Sequence, residues 1–181
     1  QLEQAYNHSE EALRIFRHLN DRRGMAAVML GLAPPLQRLN RCAEARSLLE
    51  EAVMIWQELG EETARDYALS NLASVIKSEH DYEAARGILE PLVEKFRNRG
   101  DLAATAASLS GLGDIAAAQR NPLLARANYE QALQLFQQLD DSAGVGRVLA
   151  DLGNLTRDCD DHEAARRYYL EALRECAKVG R

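Results

Sequence analysis

The side chains able to ligate a metal or attack a substrate are few and scattered. Histidines stand at His8, His18, His80 and His162, and cysteines at Cys42, Cys159 and Cys176. No H-E-x-x-H pair and no C-x-x-C spacing joins them, so neither a zinc site nor a disulfide framework is expected. Lysines occur only at Lys77, Lys95 and Lys178, and none follows a glycine-rich phosphate loop. Gly111-Leu112-Gly113 lacks a third glycine and sits inside a helical pattern, which makes it a packing feature and not a dinucleotide fingerprint. No nucleophile, base and orienting group form a constellation. The expectation is a protein that is not an enzyme, with no cofactor and no metal.

What remains is recognition by surface polarity. The 181 residues are 46% hydrophobic and 28% charged, with net charge −6 and acids and bases interspersed. The absence of a basic block argues against a nucleic-acid partner. No apolar stretch approaches membrane-spanning length and no signal-peptide pattern opens the chain, so no membrane association is expected. The odd cysteine count suits a reducing, cytoplasmic location. The chain begins at Gln1 inside a helical pattern, as expected of a slice from a longer protein.

The elements that would position such a surface are repeats. Ala-Arg recurs at 45–46, 85–86, 125–126 and 165–166, at one unbroken spacing. Met29, Leu69, Leu109 and Leu149 keep that period, as do Leu32, Leu72, Leu112 and Leu152. The next residue is always small: Ala33, Ala73, Gly113, Gly153. Ala52, Leu92, Ala132 and Ala172 align further on, as do Trp56, Phe96, Phe136 and Cys176. Cys176 thus takes an aromatic core slot and reads as a buried small hydrophobe. Residues 1–20 fit the second half of an earlier unit, with Ala5, Ala12, Leu13 and Phe16 in register. The reading is a single array over 1–181, with full repeats at 21–60, 61–100, 101–140 and 141–180.

Steps of three and four between apolar residues make each half-repeat a helix. Asp81, Asn121-Pro122 and Asp160-Asp161 supply helix starts within units. Between units, Asn20, Gly60, Gly100 and Asp140 suit left-handed helix ends. The acids that follow, Asp21, Glu61, Asp101 and Asp141, favour the positive end of the next helix. Pro34-Pro35 inside a first helix predicts a break or kink near Ala33, and Pro91 a milder one. Arg46, Arg86 and Arg126 each precede a glutamate by four positions, a surface-pair pattern worth a few tenths of a kcal/mol. A lone helix pair cannot bury its apolar stripe, so neighbours must stack. The predicted fold is all-α, a right-handed superhelical solenoid of antiparallel helix pairs.

These spacings resemble the tetratricopeptide repeat. Leu109-x2-Leu112-Gly113-x2-Ala116 precedes Ala125-x3-Tyr129-x2-Ala132, and Leu149, Leu152, Gly153, Ala165, Tyr169 and Ala172 repeat it. The period is 40 instead of 34, and Gln57, Arg97, Gln137 and Ala177 hold the slot of the family's closing proline. The long unit is similar to arrays in bacterial signalling ATPases, LuxR-type regulators and spindle-orientation adaptors.

The resemblance implies that first helices line a concave face that binds protein. Carried over residue by residue, the groove positions are Gln37, Arg38, Tyr67, Ser70, Ser74 and Lys77, then Ser110 and Asp114, then Arg147, Asn154, Arg157 and Asp158. Four basic residues (Arg38, Lys77, Arg147, Arg157) against two acidic ones (Asp114, Asp158) leave +2. A protein or peptide segment of acidic character is the expected partner, held by Arg and Lys and through its backbone by Asn154. Two alternatives stand beside it. One is homo-oligomerisation through uncapped ends, and the other is sensing of a small signalling peptide.

Overall fold

The computed structural model describes residues 2–179, with side chains over 6–178. Ala5, named above for register, lies outside the described side chains. Among the described residues there are nine helices and no strand: α1 (Leu2–His18), α2 (Arg22–Arg38), α3 (Cys42–Glu58), α4 (Glu62–Ser78), α5 (Tyr82–Asn98), α6 (Leu102–Ala118), α7 (Pro122–Gln138), α8 (Ser142–Asp158) and α9 (His162–Val179). From α2 onward the helix starts are evenly spaced, so each sequence repeat divides into two structurally equal halves.

That regularity comes from the turns. Each has one residue at positive φ, and these are Asn20, Asn40, Gly60, His80, Gly100, Arg120, Asp140 and Asp160. The following N–H reaches back to a helix carbonyl five positions earlier, as Asp101 N does to Phe96 O at 2.9 Å and Asn121 N to Ala116 O at 2.9 Å. This closes the helix end while the chain reverses. Arg120 adopts the same left-handed geometry although its residue type is not enriched there.

The next helix is capped from the third turn residue. Asp21, Asp81, Asp101, Asn121, Asp141 and Asp161 each accept an N–H bond from the residue three positions on. Glu61 makes no such bond and pairs with Arg23 instead. Asp160 is the left-handed turn residue, so the capping role expected of both aspartates falls to Asp161 alone.

Three expectations are corrected. The helix does not break near Ala33, because α2 runs through Pro34 and Pro35 to Arg38. Leu32, Ala33 and Leu36 are all buried, which ties both sides of the prolines to one apolar stripe. Beyond the prolines the helical bonding pattern holds, with Leu39 N donating to Pro35 O at 3.0 Å. Cys176 is exposed, unlike its buried counterparts Trp56, Phe96 and Phe136. Those aromatics are covered by what packs after them, and the slot alone does not bury its occupant. Of the arginine pairs, Arg46 meets Glu50 at 2.9 Å as expected, while Arg86 turns to Glu83.

The chain forms two compact units that divide within α5, at residues 1–88 and 89–181. In the first, α1 packs on α2, α2 on α3 and α3 on α4, and the first helices α2 and α4 also touch. Its core includes Met29, Leu32, Leu36, Leu49 and Val75. In the second, α6 packs on α7, α7 on α8 and α8 on α9, and first helices α6 and α8 touch. Its core gathers Val93, Leu109, Tyr129, Phe136, Val148 and Leu152. The alanine of every Ala-Arg pair is buried: Ala45, Ala85, Ala125 and Ala165.

Candidate protein-binding groove

In the first unit, α2 and α4 bring two predicted groove residues together. Gln37 Nε2 donates to Ser74 Oγ at 3.4 Å across the two helices. The Ser78 hydroxyl donates to the Ser74 carbonyl at 3.0 Å. Arg38 and Tyr67 are exposed, while Ser70, Ser74 and Lys77 are half-buried on the same helix series.

In the second unit the arrangement is different. Ser110 is only 3% exposed and belongs to the packed interior of α6. Asp114 is half-buried, and the Tyr129 hydroxyl donates to its Oδ1 at 2.8 Å. One repeat later, the Tyr169 hydroxyl donates to Asn154 Oδ1 at 2.9 Å. The two contacts are the same device in successive repeats. Burial raises the Tyr129 pKa well above its ordinary value, and the Asp114 carboxylate adds to the effect.

Two of the predicted arginines, Arg157 and Arg147, are engaged within the chain. Arg157 donates to Asp158 Oδ1 through Nη2 at 3.0 Å and Nε at 3.2 Å. That bond, followed by nearby Tyr169 and Asp158 charge, raises the guanidinium pKa further. The Arg147 guanidinium lies 5.6 Å from the centre of the Phe136 ring, a cation–π approach. Arg147 also lines a separate apolar pocket of about 610 Å³ with Tyr169, Leu173 and Cys176.

Between α6 and α8 lies a pocket of about 680 Å³. Asn154 and Asp158, both predicted groove positions, line it together with Tyr129, Asp151, Leu155 and Arg120. Sequence reasoning placed Tyr129 in the core and missed Asp151 and Arg120. The signal for the tyrosines was present. Tyr129 and Tyr169 replace Leu49 and Leu89, and each follows a polar groove residue, Asp114 or Asn154, at the same separation. Asp151 and Arg120 carry no repeat signal.

Residues 104–174 match the tetratricopeptide repeat family model. The matched segment covers most of α6 through α9. Solved tetratricopeptide-type structures resemble the whole chain. BtubC (BKLC) from P. vanneervenii superposes with TM-score 0.76 at 23% identity, over 99% of this chain and 74% of that one. The nearly identical TPR-like repeats of a Podosopora anserina putative kinesin light chain give 0.67 at 19%, over 100% and 90%. The apo form of RapI gives 0.73 at 14%, over 99% and 78%. No curated protein matches the sequence. At these identities the likeness concerns the fold, which is a series of tetratricopeptide-type helix pairs. No helix among the described residues is long and apolar enough to cross a membrane.

Proposed function

We propose that this chain is a protein-binding module in a cytoplasmic regulatory protein of the long-repeat kind, and that within each unit the first helices, α2 with α4 and α6 with α8, offer a face to a peptide or partner segment. The observation that carries this is the α6–α8 pocket, which gathers Asn154 and Asp158 at the positions the repeat register assigns to a groove. In the first unit, Arg38 and Lys77 suit acidic residues of the segment.

Photo-crosslinking tests this. A benzoylphenylalanine at position 70 or 74 is expected to give protein adducts in extract. One at position 123, where Leu123 is 82% exposed on the second helix α7, is expected to give none. Adducts from position 123 alone would overturn the groove. Adducts of twice the chain mass would favour self-assembly.

A further inference from the structure

We propose that the slot between α8 and α9 receives an amphipathic helix of a partner protein, seated as α8 is seated on α6 and α7 and carrying a large apolar side chain over Cys176. The slot is the apolar pocket of about 610 Å³, lined by Gly146, Arg147 and Ala150 of α8 and by Tyr169, Leu173 and Cys176 of α9. Leu173 is 66% exposed, and Cys176 is exposed as well. Among the described residues, α9 packs on α8 and no further helix lies on this face. The surface is separate from the α6–α8 pocket, so the inference does not rest on the groove reading.

One repeat earlier, the molecule itself fills the corresponding slot. The equivalents of Gly146, Ala150, Tyr169, Leu173 and Cys176 are Ala106, Ser110, Tyr129, Leu133 and Phe136. There α8 lies on them, and its Val145, Val148 and Leu149 share one core cluster with Ala106, Tyr129 and Phe136. Under that cover Phe136 is 4% exposed and Leu133 is partly buried. A helix with apolar residues three and four apart is therefore the shape that such a face accepts.

The aromatic slot of the second helix sets the size of the residue opposite. A Cβ on Gly144 would lie 2.4 Å from Phe136 Cδ1, and one on Gly24 would lie 2.4 Å from Phe16 Cδ1. The register position that meets the aromatic is small each time: Gly24, Ala64, Ala104 and Gly144. Cys176 puts a single sulfur where the other repeats have a ring, and that volume stays unfilled. A docked helix fills it by the reverse exchange, with leucine or a larger apolar side chain where α8 has Gly144. The polar groups of the lining are turned elsewhere. The Arg147 guanidinium faces the Phe136 ring, and the Tyr169 hydroxyl donates to Asn154. What is left for a partner is an apolar surface.

The test uses the full chain, nitrogen-15 labelled, titrated with a synthetic peptide of residues 141–158, the α8 sequence, and separately with the same peptide carrying Gly144→Leu. The leucine peptide is expected to shift amides within 143–150 and 169–176 and to bind about tenfold tighter than the unaltered one. In the Cys176→Phe chain, altered at an exposed position, the order is expected to reverse, because a ring again meets glycine best. The reversal separates fit in the slot from the greater helix propensity of the leucine peptide. Equal binding of the two peptides, no shift from either, or the same order in both chains would overturn the proposal. Shifts confined to other segments would do so too. Movement of the same amides on raising the chain concentration, without peptide, would assign the slot to a second copy instead. None of these results would alter crosslinking at positions 70 and 74.

Discussion

The helix pair α2–α3 and the pairs α6–α7 and α8–α9 solve one packing problem with different residues. The first has Ala33 and Leu49 at the register positions where the others have Gly113 with Tyr129 and Gly153 with Tyr169. A Cβ on Gly113 would lie 2.5 Å from Tyr129 Cε1, and one on Gly153 would lie 2.6 Å from Tyr169 Cε1. A ring on the second helix therefore needs a bare Cα on the first, whereas a leucine leaves room for alanine. The exchange has a second effect. A leucine ends in methyl groups, but the tyrosine carries its hydroxyl to Asp114 or Asn154 and fixes the polar residue at a predicted groove position. A choice made in the core thus sets the chemistry of the surface.

The largest test of this comparison is Gly113→Ala. It is expected to lower stability by about 3 kcal/mol through overpacking against the Tyr129 ring, read as a loss in urea midpoint. Adding Tyr129→Leu recreates the alanine–leucine pairing of the first repeats and is expected to restore most of that loss. A double variant no more stable than Gly113→Ala would break the idea that the two slots are exchanged as a pair.

A second difference is confined to the first unit. Asp66 is fully buried on α4, where the other repeats place Ala26, Ala106 and Gly146. Arg65 Nη2 approaches its Oδ1 at 3.5 Å, too long for a strong charge-assisted bond. Removing one member of a buried polar set leaves the groups that faced it unpaired, so Asp66→Ala is expected to lower stability by about 2 kcal/mol. A higher thermal midpoint would show that the cost of burying Asp66 exceeds what its contacts return.

The smallest effect belongs to Tyr129→Phe, expected to cost about 1 kcal/mol for the lost bond to Asp114. Because burial and Asp114 raise the tyrosine pKa in the fold, its contribution is complete below about pH 10, the ordinary tyrosine value, and is lost as pH rises toward the raised one. Urea midpoints at rising alkaline pH should therefore fall more steeply for the native chain than for Tyr129→Phe. Parallel curves would remove the special role of the hydroxyl.

Much of the fold was legible because it is periodic. Ala45, Ala85, Ala125 and Ala165 announce the close approach of two helices, and each is buried. Asp81, Asp101 and Asn121 announce helix starts because a short polar side chain can accept an N–H that the helix leaves unpaired, and they do so. The left-handed turn at Arg120 was not legible, since arginine is not among the residue types enriched at positive φ. The groove positions proposed here were readable only as a register. Residue type could not say that Ser110 is buried, that Arg147 rests against Phe136, or that Arg157 is turned onto Asp158.

The sequence by itself determined the helix-pair architecture, the length of the repeating unit and the positions of most caps, because these depend on interactions between near neighbours in the chain or on a repeating apolar stripe. Tertiary structure alone decided which polar side chains are open, which are held from behind by a tyrosine, and which charges meet in the α6–α8 pocket. Those outcomes depend on contacts between helices, where a hydroxyl on the second helix of the pair or a carboxylate on the next first helix fixes what a side chain can still bind.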